Sequence, residues 1–249
     1  MANQQFNITY WQKQKERILD SLKNLGNVPD PIQTGRVVPD EQGISIGLGR
    51  RLKLAVLFLD MTGFSARPSE ELAEQEVLLR ILNLFFSEMV RVAEDFGGTV
   101  EKNTGDGLMA YFEDNNAEGK SGCDRAISSA LTMFYVTKNF INPILSKNSL
   151  LPIRFRIGID YGWVTIAKLG AARRFNSIVA IGTAANIACK MLGHADPDEI
   201  VIGESVVANL PENRRGHCQL KTVKSGWIYR KINHPYPFYT YTSRWTNLE

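Results

Sequence analysis

The sequence predicts an α+β fold in which helices flank an antiparallel-rich sheet. Short apolar runs alternate with longer stretches of helical periodicity, and Gly-containing turns join neighbouring β-prone segments. The predicted elements follow roughly the order βααββαββαβ, which is typical of α+β proteins. The chain has 249 residues, of which 44% are hydrophobic and 22% charged, so one ordinary globular domain accounts for its size.

The N-terminal part of the chain differs from the rest. Residues 1–25 carry apolar side chains at three- and four-residue spacings among Lys, Glu and Gln, which predicts an amphipathic helix. Residues 26–49 are rich in Pro, Gly and Asp, which predicts an irregular connection. We therefore divide the chain into an N-terminal helix with its connection, residues 1–50, and a domain, residues 51–249.

Two predicted β elements of this domain present a carboxylate. The apolar run Leu52–Asp60 predicts a strand buried on both faces that ends in Asp60. The β-prone segments Thr99–Asn103 and Leu108–Phe112 flank an Asp-Gly turn, which predicts a hairpin that displays Asp106. From spacing alone, ordinary turn and capping roles are favoured for both carboxylates.

The remaining elements follow from periodicity. Helical patterns predict helices at Glu70–Asp95, from Asp124 to about Leu145, and from about Thr183 to Leu192. The other β-prone segments are Ile153–Asp160 and Trp163–Lys168, predicted to form a hairpin through Tyr161-Gly162, then Ile178–Ile181, Glu199–Ile202 and the tail to Tyr241.

Charge and composition exclude several classes of protein. The 29 Lys and Arg against 26 Asp and Glu leave a net charge of +3 that no segment concentrates, so we expect neither a nucleic-acid nor a membrane partner. The three cysteines lie far apart, which predicts reduced thiols and a cytoplasmic protein. No apolar run approaches the roughly 20 residues of a membrane helix, which predicts a soluble protein. The three histidines lack the HExxH spacing of zinc hydrolases.

Four segments resemble the conserved blocks of the class III nucleotidyl cyclases, the family of adenylate and guanylate cyclase catalytic domains. FLDMTGFS at Phe58–Ser65 and GGTVEKNTGDGLMAYF at Gly97–Phe112 are similar to the two metal motifs of this family. Ile153–Gly162 and Ile181–Lys190 are similar to its third and fourth blocks. The resemblance runs in the right order from about Leu52 to Tyr241 and implies the ferredoxin-like fold of these cyclases.

The resemblance implies conversion of a nucleoside triphosphate to a 3′,5′-cyclic nucleotide and pyrophosphate, with two divalent cations, Mn²⁺ or Mg²⁺. Asp60, Asp106 and the backbone carbonyl of Met61 are the implied metal ligands. Carboxylates brought close together repel each other unless a cation neutralises them, and hard divalent cations prefer oxygen ligands.

Nucleotide contacts are implied at further positions. The first metal motif includes Phe58, and the N–H groups of Gly63, Phe64 and Ser65 are placed to receive phosphate oxygens, although Ser65 also fits a simple helix cap. Lys231 resembles, more loosely, a triphosphate-binding lysine of the family.

The fourth block implies two catalytic residues. Asn186 matches the ribose-orienting asparagine of the family, and Lys190 occupies the place of an arginine that stabilises the transition state. Residues four apart share a helix face, so both can point into one cleft. In the family these residues meet the metal ligands across a head-to-tail dimer, which implies a homodimer with shared active sites.

The base-reading positions favour a pyrimidine. Lys102 aligns with a base-reading lysine, whereas Val179 stands where adenylate cyclases place an aspartate or threonine. An exocyclic amino group facing Val179 would lose a hydrogen-bond partner, while Lys102 can donate to a uracil carbonyl, so UTP is favoured. A backbone carbonyl in place of the missing acceptor would permit CTP or ATP.

A second resemblance also favours pyrimidines. Arg156–Gly170 and Ala185–Lys190 resemble the uridylate and cytidylate cyclases of bacterial Pycsar antiphage systems. Those enzymes make cyclic UMP or cyclic CMP, which activates a separately encoded effector protein. A degenerate cyclase-like domain that binds nucleotide as a sensor without catalysis is the alternative.

Overall fold

The computed structural model describes residues 32–34, 44–103, 106–114, 121–172, 175–229 and 233–245, with the backbone alone described at 32–34, 102–103, 171–172 and 175–177. The strands are β1 (Ile32–Thr34), β2 (Gly49–Met61), β3 (Gly98–Asn103), β4 (Gly107–Glu113), β5 (Phe155–Ala172), β6 (Phe175–Ile181), β7 (Ile200–Gly203), β8 (Cys218–Thr222), β9 (Ile228–Tyr229), β10 (His234–Pro235) and β11 (Phe238–Tyr241). The α-helices are α1 (Leu72–Asp95), α2 (Gly122–Val136), α3 (Asn142–Lys147), α4 (Thr183–Met191), α5 (Glu204–Asn209) and α6 (Glu212–Arg215).

One large sheet organises the chain. Its strand order is β3-β4-β2-β5-β7-β11-β8, with β1 beside β2 and β6 beside β5. These pairs are antiparallel except β1 with β2 and β5 with β7. The succession β2-α1-β3-β4-α2-β5, with spatial order β3-β4-β2-β5, is a ferredoxin-like core. The predicted α+β class with an antiparallel-rich sheet is therefore confirmed.

The sheet is buried on both faces by helices. Alternate residues of β2 point to opposite sides, so Leu57 and Leu59 join the core that includes residues of α1 and α2, while Leu54 and Val56 join the core that includes residues of α4. All four side chains are at most 1% exposed. Burial of each contributes roughly 1.5 to 3 kcal/mol to folding. The strand that ends in Asp60 is thus held rigidly between two apolar layers.

The predicted hairpin at Tyr161-Gly162 is wrong. β5 runs unbroken through both residues, which pair with Ala55 and Leu54 of β2. Tyr161 is buried, and its hydroxyl donates to Asp114 Oδ2 at 2.5 Å. Pairing with a strand distant in sequence therefore overrides the local turn preference. The hairpin lies further on, between β5 and β6.

The region before the domain contains a strand, although its composition predicts an irregular connection. Ile32–Thr34 form β1, which pairs in parallel with the beginning of β2. β2 itself begins at Gly49, before the predicted Leu52. A Cβ atom at Gly49 would lie 2.8 Å from Thr165 Cγ2, so the close approach of β5 explains the glycine. The helix predicted in residues 1–25 lies outside the described residues.

The predicted helix from Asp124 to about Leu145 is divided. α2 and α3 are separated by a π-helical turn at Thr137–Ile141. Pro143, in the first turn of α3, has no N–H to donate to the preceding turn, which favours this wider winding. The tail predicted to be β-prone also contains the short helices α5 and α6. In the described part of the chain, no helix has both the length and the apolar content needed to cross a bilayer.

Candidate active site

The carboxylate of Asp60 lies at the end of β2. Leu59 and Met61 belong to the core beneath α1 and α2, so alternation places the Asp60 side chain on the opposite face, where Phe58 packs against the other core. Asp60 pairs with Gly107 of β4 on one side and with Arg156 of β5 on the other. Its side chain remains 26% exposed, so ligands can reach it.

Asp106 comes to the same end of the sheet. It immediately precedes β4, and its backbone carbonyl accepts a hydrogen bond from Met61 N at 3.0 Å. The two metal motifs are therefore joined directly through their backbones. The structure brings the three predicted metal-binding residues, Asp60, Met61 and Asp106, together within two adjacent strand ends.

Arg156 is a site residue that the sequence reasoning missed. Its Nη2 and Nε lie 2.9 and 3.0 Å from Asp60 Oδ2. The carboxylate is therefore compensated by a cation of the protein itself, and repulsion between carboxylates alone does not require a metal here. Arg156 alternates with Phe155 and Ile157, which are buried under α1 and α2, and this period-2 pattern could have placed it on the face of Asp60.

The donors at this end of the sheet fit a hard divalent cation. Asp60, Asp106 and the carbonyl of Met61 all offer oxygen, which Mg²⁺ and Mn²⁺ prefer. Among the described residues, no cluster of three or more His, Cys, Asp or Glu side chains could hold a metal. A cation held here would therefore also need carbonyl, water or phosphate oxygens as ligands. Thr62 Oγ1, in the same motif, is buried without a hydrogen-bond partner within the described chain and is a further oxygen beside the site.

The turn after β2 can receive an anion. Gly63 adopts φ 67°, a left-handed conformation that glycine permits, and begins a short 3₁₀ helix at Phe64–Ala66. Within the described part of the chain, the N–H groups of Gly63, Phe64 and Ser65 have no acceptor. The Ser65 side chain is exposed, and the alternative that it caps a helix is wrong because Gly63 is the N-cap of the 3₁₀ helix and Glu71 is the N-cap of α1.

Asn186 and Lys190 lie on the outer face of α4. The inner face of this helix, which includes Ala184, Ile187 and Met191, packs against the sheet, whereas Asn186 and Lys190 are exposed. The two residues share a face, as predicted, but that face points away from the sheet that carries Asp60 of the same chain. One chain therefore does not bring the two halves of the predicted site together.

Trp227 is a second residue that the sequence reasoning missed. Lys190 Nζ lies 4.8 Å from the centroid of the Trp227 ring, which is a cation–π distance. The Trp227 backbone is anchored by a hydrogen bond from its N–H to Ser225 Oγ and by one from Tyr236 N to its carbonyl. The contact restricts the flexible side chain of Lys190. Because the two residues are distant in sequence, no local pattern could have predicted that they meet.

The base-reading residues lie on separate strands. Val179 is half-buried on β6 opposite Ala167, whereas Lys102 is on β3, where only its backbone is described. β4, β2 and β5 lie between these strands in the sheet. Lys231 lies outside the described residues. The predicted base pocket is therefore not assembled by any described contact within one chain.

A buried carboxyl lies under α4. Asp160 is 2% exposed and lines a cavity of 240 Å³ together with Trp227. The Tyr236 hydroxyl donates to Asp160 Oδ1 at 2.5 Å. Burial raises the pKa of Asp160 to about 7, although the hydrogen bonds from Tyr236 and from the backbone of Tyr161 oppose the shift.

This carboxyl predicts a pH-dependent stability. The folded chain holds the proton up to about pH 7, whereas the unfolded chain releases it near pH 3.8, the ordinary pKa of an aspartate side chain. Stability contributed by protonated Asp160 is therefore fully present below pH 3.8 and is lost as the pH rises through about 7. In urea unfolding, we expect wild type to lose stability relative to Asp160→Asn between about pH 4 and about pH 7 and to change little at higher pH. Parallel pH profiles for the two proteins would contradict this.

Comparisons with known proteins identify the family of this chain. The family model of the adenylate and guanylate cyclase catalytic domain matches residues 49–232. An adenylate cyclase from Anabaena cylindrica is 30% identical over 197 residues, which are 78% of this chain and 38% of that protein. A uridylate cyclase from Rhodovulum sp. is 28% identical over 166 residues, 64% of this chain and 66% of that protein. The chain thus spans 38% and 66% of the lengths of these two relatives.

A solved structure shares the fold. The crystal structure of the adenylyl cyclase CyaB from P. aeruginosa superimposes with a TM-score of 0.62 and 24% sequence identity. The superposition covers 81% of this chain and 99% of that chain. At this level of identity, the likeness shows the common fold and nothing about the substrate.

Proposed function

Because this chain belongs to the adenylate and guanylate cyclase catalytic domain family, we propose that it converts UTP to 3′,5′-cyclic UMP and pyrophosphate. The observation that carries the proposal is the meeting of Asp60 and Asp106 at one end of the sheet, joined by the hydrogen bond from Met61 N to the Asp106 carbonyl. Within the described part of the chain, the following turn offers the unpaired N–H groups of Gly63 and Phe64. Carboxylates for cations and N–H groups for phosphate are the features that a triphosphate requires.

Each residue of the proposed site has a separate role in this reaction. Two divalent cations held by Asp60, Asp106 and the Met61 carbonyl would lower the pKa of the ribose 3′-hydroxyl and neutralise the triphosphate. The 3′-oxygen then forms a bond to the α-phosphorus, the bond to the pyrophosphate oxygen breaks, and the hydroxyl proton leaves to solvent. Arg156 places its positive charge beside Asp60, where a phosphate oxygen can replace the carboxylate as its partner. Lys231 stays a proposed triphosphate contact.

We place the second half of each site on another copy of the chain. Asn186 and Lys190 face outward from α4, where Asn186 can orient the ribose and Lys190 can stabilise charge on the transition state of the partner's site. The strands β5 and β6 also expose apolar side chains. Trp163 is 47% exposed, Leu169 44% and Ile181 55%. A two-fold homodimer that covers them would form two equivalent sites.

The preference for UTP rests on the base-reading positions. Val179 offers no hydrogen-bond acceptor to an exocyclic amino group, and each unsatisfied buried amino group costs roughly 1 to 3 kcal/mol. Uracil carries carbonyl oxygens, to which the lysine at position 102 can donate. The named activities of the relatives include both uridylate and adenylate cyclases, so the base must be tested directly.

We expect UTP to give the highest kcat/KM when the pure protein is incubated with Mn²⁺ and each of the four ribonucleoside triphosphates, with CTP second. Chromatographic separation of the cyclic products measures this. A clear preference for ATP would show that another group supplies the acceptor missing at Val179. Tight nucleotide binding with no cyclic product from any of the four would favour the sensor alternative.

A further prediction concerns the contact between Lys190 and Trp227. A cation–π contact contributes roughly 0.5 to 2 kcal/mol, so we expect Trp227→Leu to lower kcat by about fivefold with little change in KM. Trp227→Phe keeps a ring and should restore most of the rate. Once Lys190 is replaced by Ala, Trp227→Leu should have little additional effect. Equal loss of rate in the Leu and Phe variants would show that the tryptophan merely packs.

We further propose that the product is a second messenger made in the bacterial cytoplasm during antiphage defence. The resemblance of Arg156–Gly170 and Ala185–Lys190 to Pycsar cyclases supports this role. A separately encoded effector protein would then detect the cyclic nucleotide.

A further inference from the structure

A large cavity lies away from the proposed active site. Its volume is 910 Å³, within the range of about 300 to 1,000 Å³ typical of small-molecule sites. The walls come from the end of α2, the π-helical turn, the residues leading into β5, and the segment after β11. None of the residues assigned above to metal, nucleotide or catalysis lines it.

The walls suit a flat, aromatic group. The rings of Phe134 and Phe155 are stacked, with centroids 4.2 Å apart and planes 6° from parallel. The Arg244 guanidinium lies 5.2 Å from the Phe134 centroid, and the exposed ring of Trp245 forms another part of the lining. Because Phe155 and Arg244 already cover the Phe134 ring, a planar ligand would stack on the exposed ring of Trp245 and gain dispersion energy there.

The charge of the lining favours an anion. Lys138, Arg154 and Arg244 face the cavity together with one carboxylate, Asp198, which is already bound by Arg154 Nε at 2.7 Å. Arg244 donates to carbonyl oxygens, among them that of Asp198 at 2.8 Å, and makes no ion pair with a carboxylate among the described residues. Partial burial lowers the pKa of Arg244, although the nearby charges of Asp198 and Glu199 oppose the shift.

The backbone that forms one wall is also unusual. The π-helical turn Thr137–Ile141 lines the cavity. Such turns are rare in proteins, and those that occur often lie at functional sites. Thr137 is 3% exposed, and its Oγ1 has no hydrogen-bond partner within the described chain.

The cavity touches the metal motif through the backbone. Arg154 lines the cavity, and its carbonyl accepts a hydrogen bond from Thr62 N at 2.8 Å. The next residue, Phe155, pairs with Met61 in the sheet. A movement of the wall at residues 154 and 155 therefore displaces the residues that follow Asp60.

We propose that this cavity binds a small planar anion, an aromatic ring bearing a carboxylate, sulfonate or phosphate group, and that its occupancy changes cation binding at Asp60. Only the second part rests on the proposed function. Binding is therefore measured first, with a readout that needs neither metal nor turnover.

The probe for binding is 1-anilinonaphthalene-8-sulfonate, which combines fused rings with one sulfonate. We expect its fluorescence to report a saturable site, about tenfold weaker in Arg244→Gln and also weaker in Lys138→Gln, whose exposed side chain can change without unfolding the chain. Arg80→Gln, at an exposed ion pair on α1, is the matched control. All four proteins must unfold at similar temperatures, because the probe also binds partly unfolded chains that expose apolar surface.

Energy transfer from tryptophan locates the probe. Trp245 lines the cavity, so Trp245→Phe should reduce the transfer more than Trp163→Phe, on β5, does. Equal probe affinity in Arg244→Gln, Lys138→Gln and wild type, or transfer lost in Trp163→Phe and kept in Trp245→Phe, would overturn the cavity assignment.

The coupling between the cavity and the cation site is tested by titrating the protein with the probe in the presence and absence of Mg²⁺. We expect the probe Kd to shift at least about threefold when Mg²⁺ is present, and the shift to vanish in Asp60→Ala, because linkage between two sites is reciprocal. A probe Kd that Mg²⁺ leaves unchanged would overturn the coupling. Inactivity with all four nucleotides would instead count against the proposed function and leave the binding result standing.

Discussion

We expect the Asp60→Ala and Asp106→Ala proteins to fold normally and to lose at least about a hundredfold in kcat, because each lacks a ligand of the two-cation site. Asp60 is 26% exposed, and its partner Arg156 is 31% exposed, so loss of their ion pair costs little stability. The effect should therefore appear in turnover and in Mn²⁺ binding, with the unfolding temperature nearly unchanged.

The matched control removes a carboxylate from another ion pair. Glu76 lies 4.0 Å from Arg80 on α1, outside both metal motifs, and its side chain is 59% exposed. Glu76→Ala should keep the wild-type rate. Near-wild-type turnover in either aspartate variant would remove the basis for assigning the two carboxylates to catalysis.

Local patterns predicted the elements that hold the metal motif. The run Leu52–Asp60 is apolar because β2 is buried on both faces, and it indeed lies within that strand. The periodicity of Glu70–Asp95 corresponds closely to α1, which spans Leu72–Asp95. In both cases the element is buried along its whole length, so the spacing of its apolar residues reflects that burial. The element can therefore be predicted without knowing which distant residues it contacts.

Contacts between distant segments explain the errors. Tyr161-Gly162 has the composition of a turn, yet its pairing with β2 and the Lys53 ammonium 4.9 Å from the Tyr161 ring keep it within a strand. The π-helical turn before α3 instead has a local cause in Pro143, which helical periodicity alone does not register. Contacts such as those of Tyr161 are absent from any window of a few residues.

The site was predicted only in part for the same reason. Asp60, Asp106, Asn186 and Lys190 stand in recognisable motifs, but Arg156 and Trp227 reach them from other segments. The alternation of side chains along β5 could have placed Arg156 on the face of Asp60. No local pattern indicates that Trp227 contacts Lys190.

We propose above that two chains share each active site. Asp60 lies at the end of β2, while Lys190 faces outward on α4 of the same chain, and the proposal assigns the complementary half of each site to a second chain. Asp60→Ala protein and Lys190→Ala protein should each be nearly inactive alone. In a mixed dimer, one site carries both substitutions and the other carries neither.

Mixing the two inactive proteins and allowing their subunits to exchange is the most direct test. With random pairing about half of the dimers are mixed and each has one intact site of two, so activity should return to roughly a quarter of wild type. Exchange is followed independently with differently tagged chains. If the tagged chains exchange and no activity reappears, the shared-site arrangement is contradicted, and each chain must form a complete site by itself.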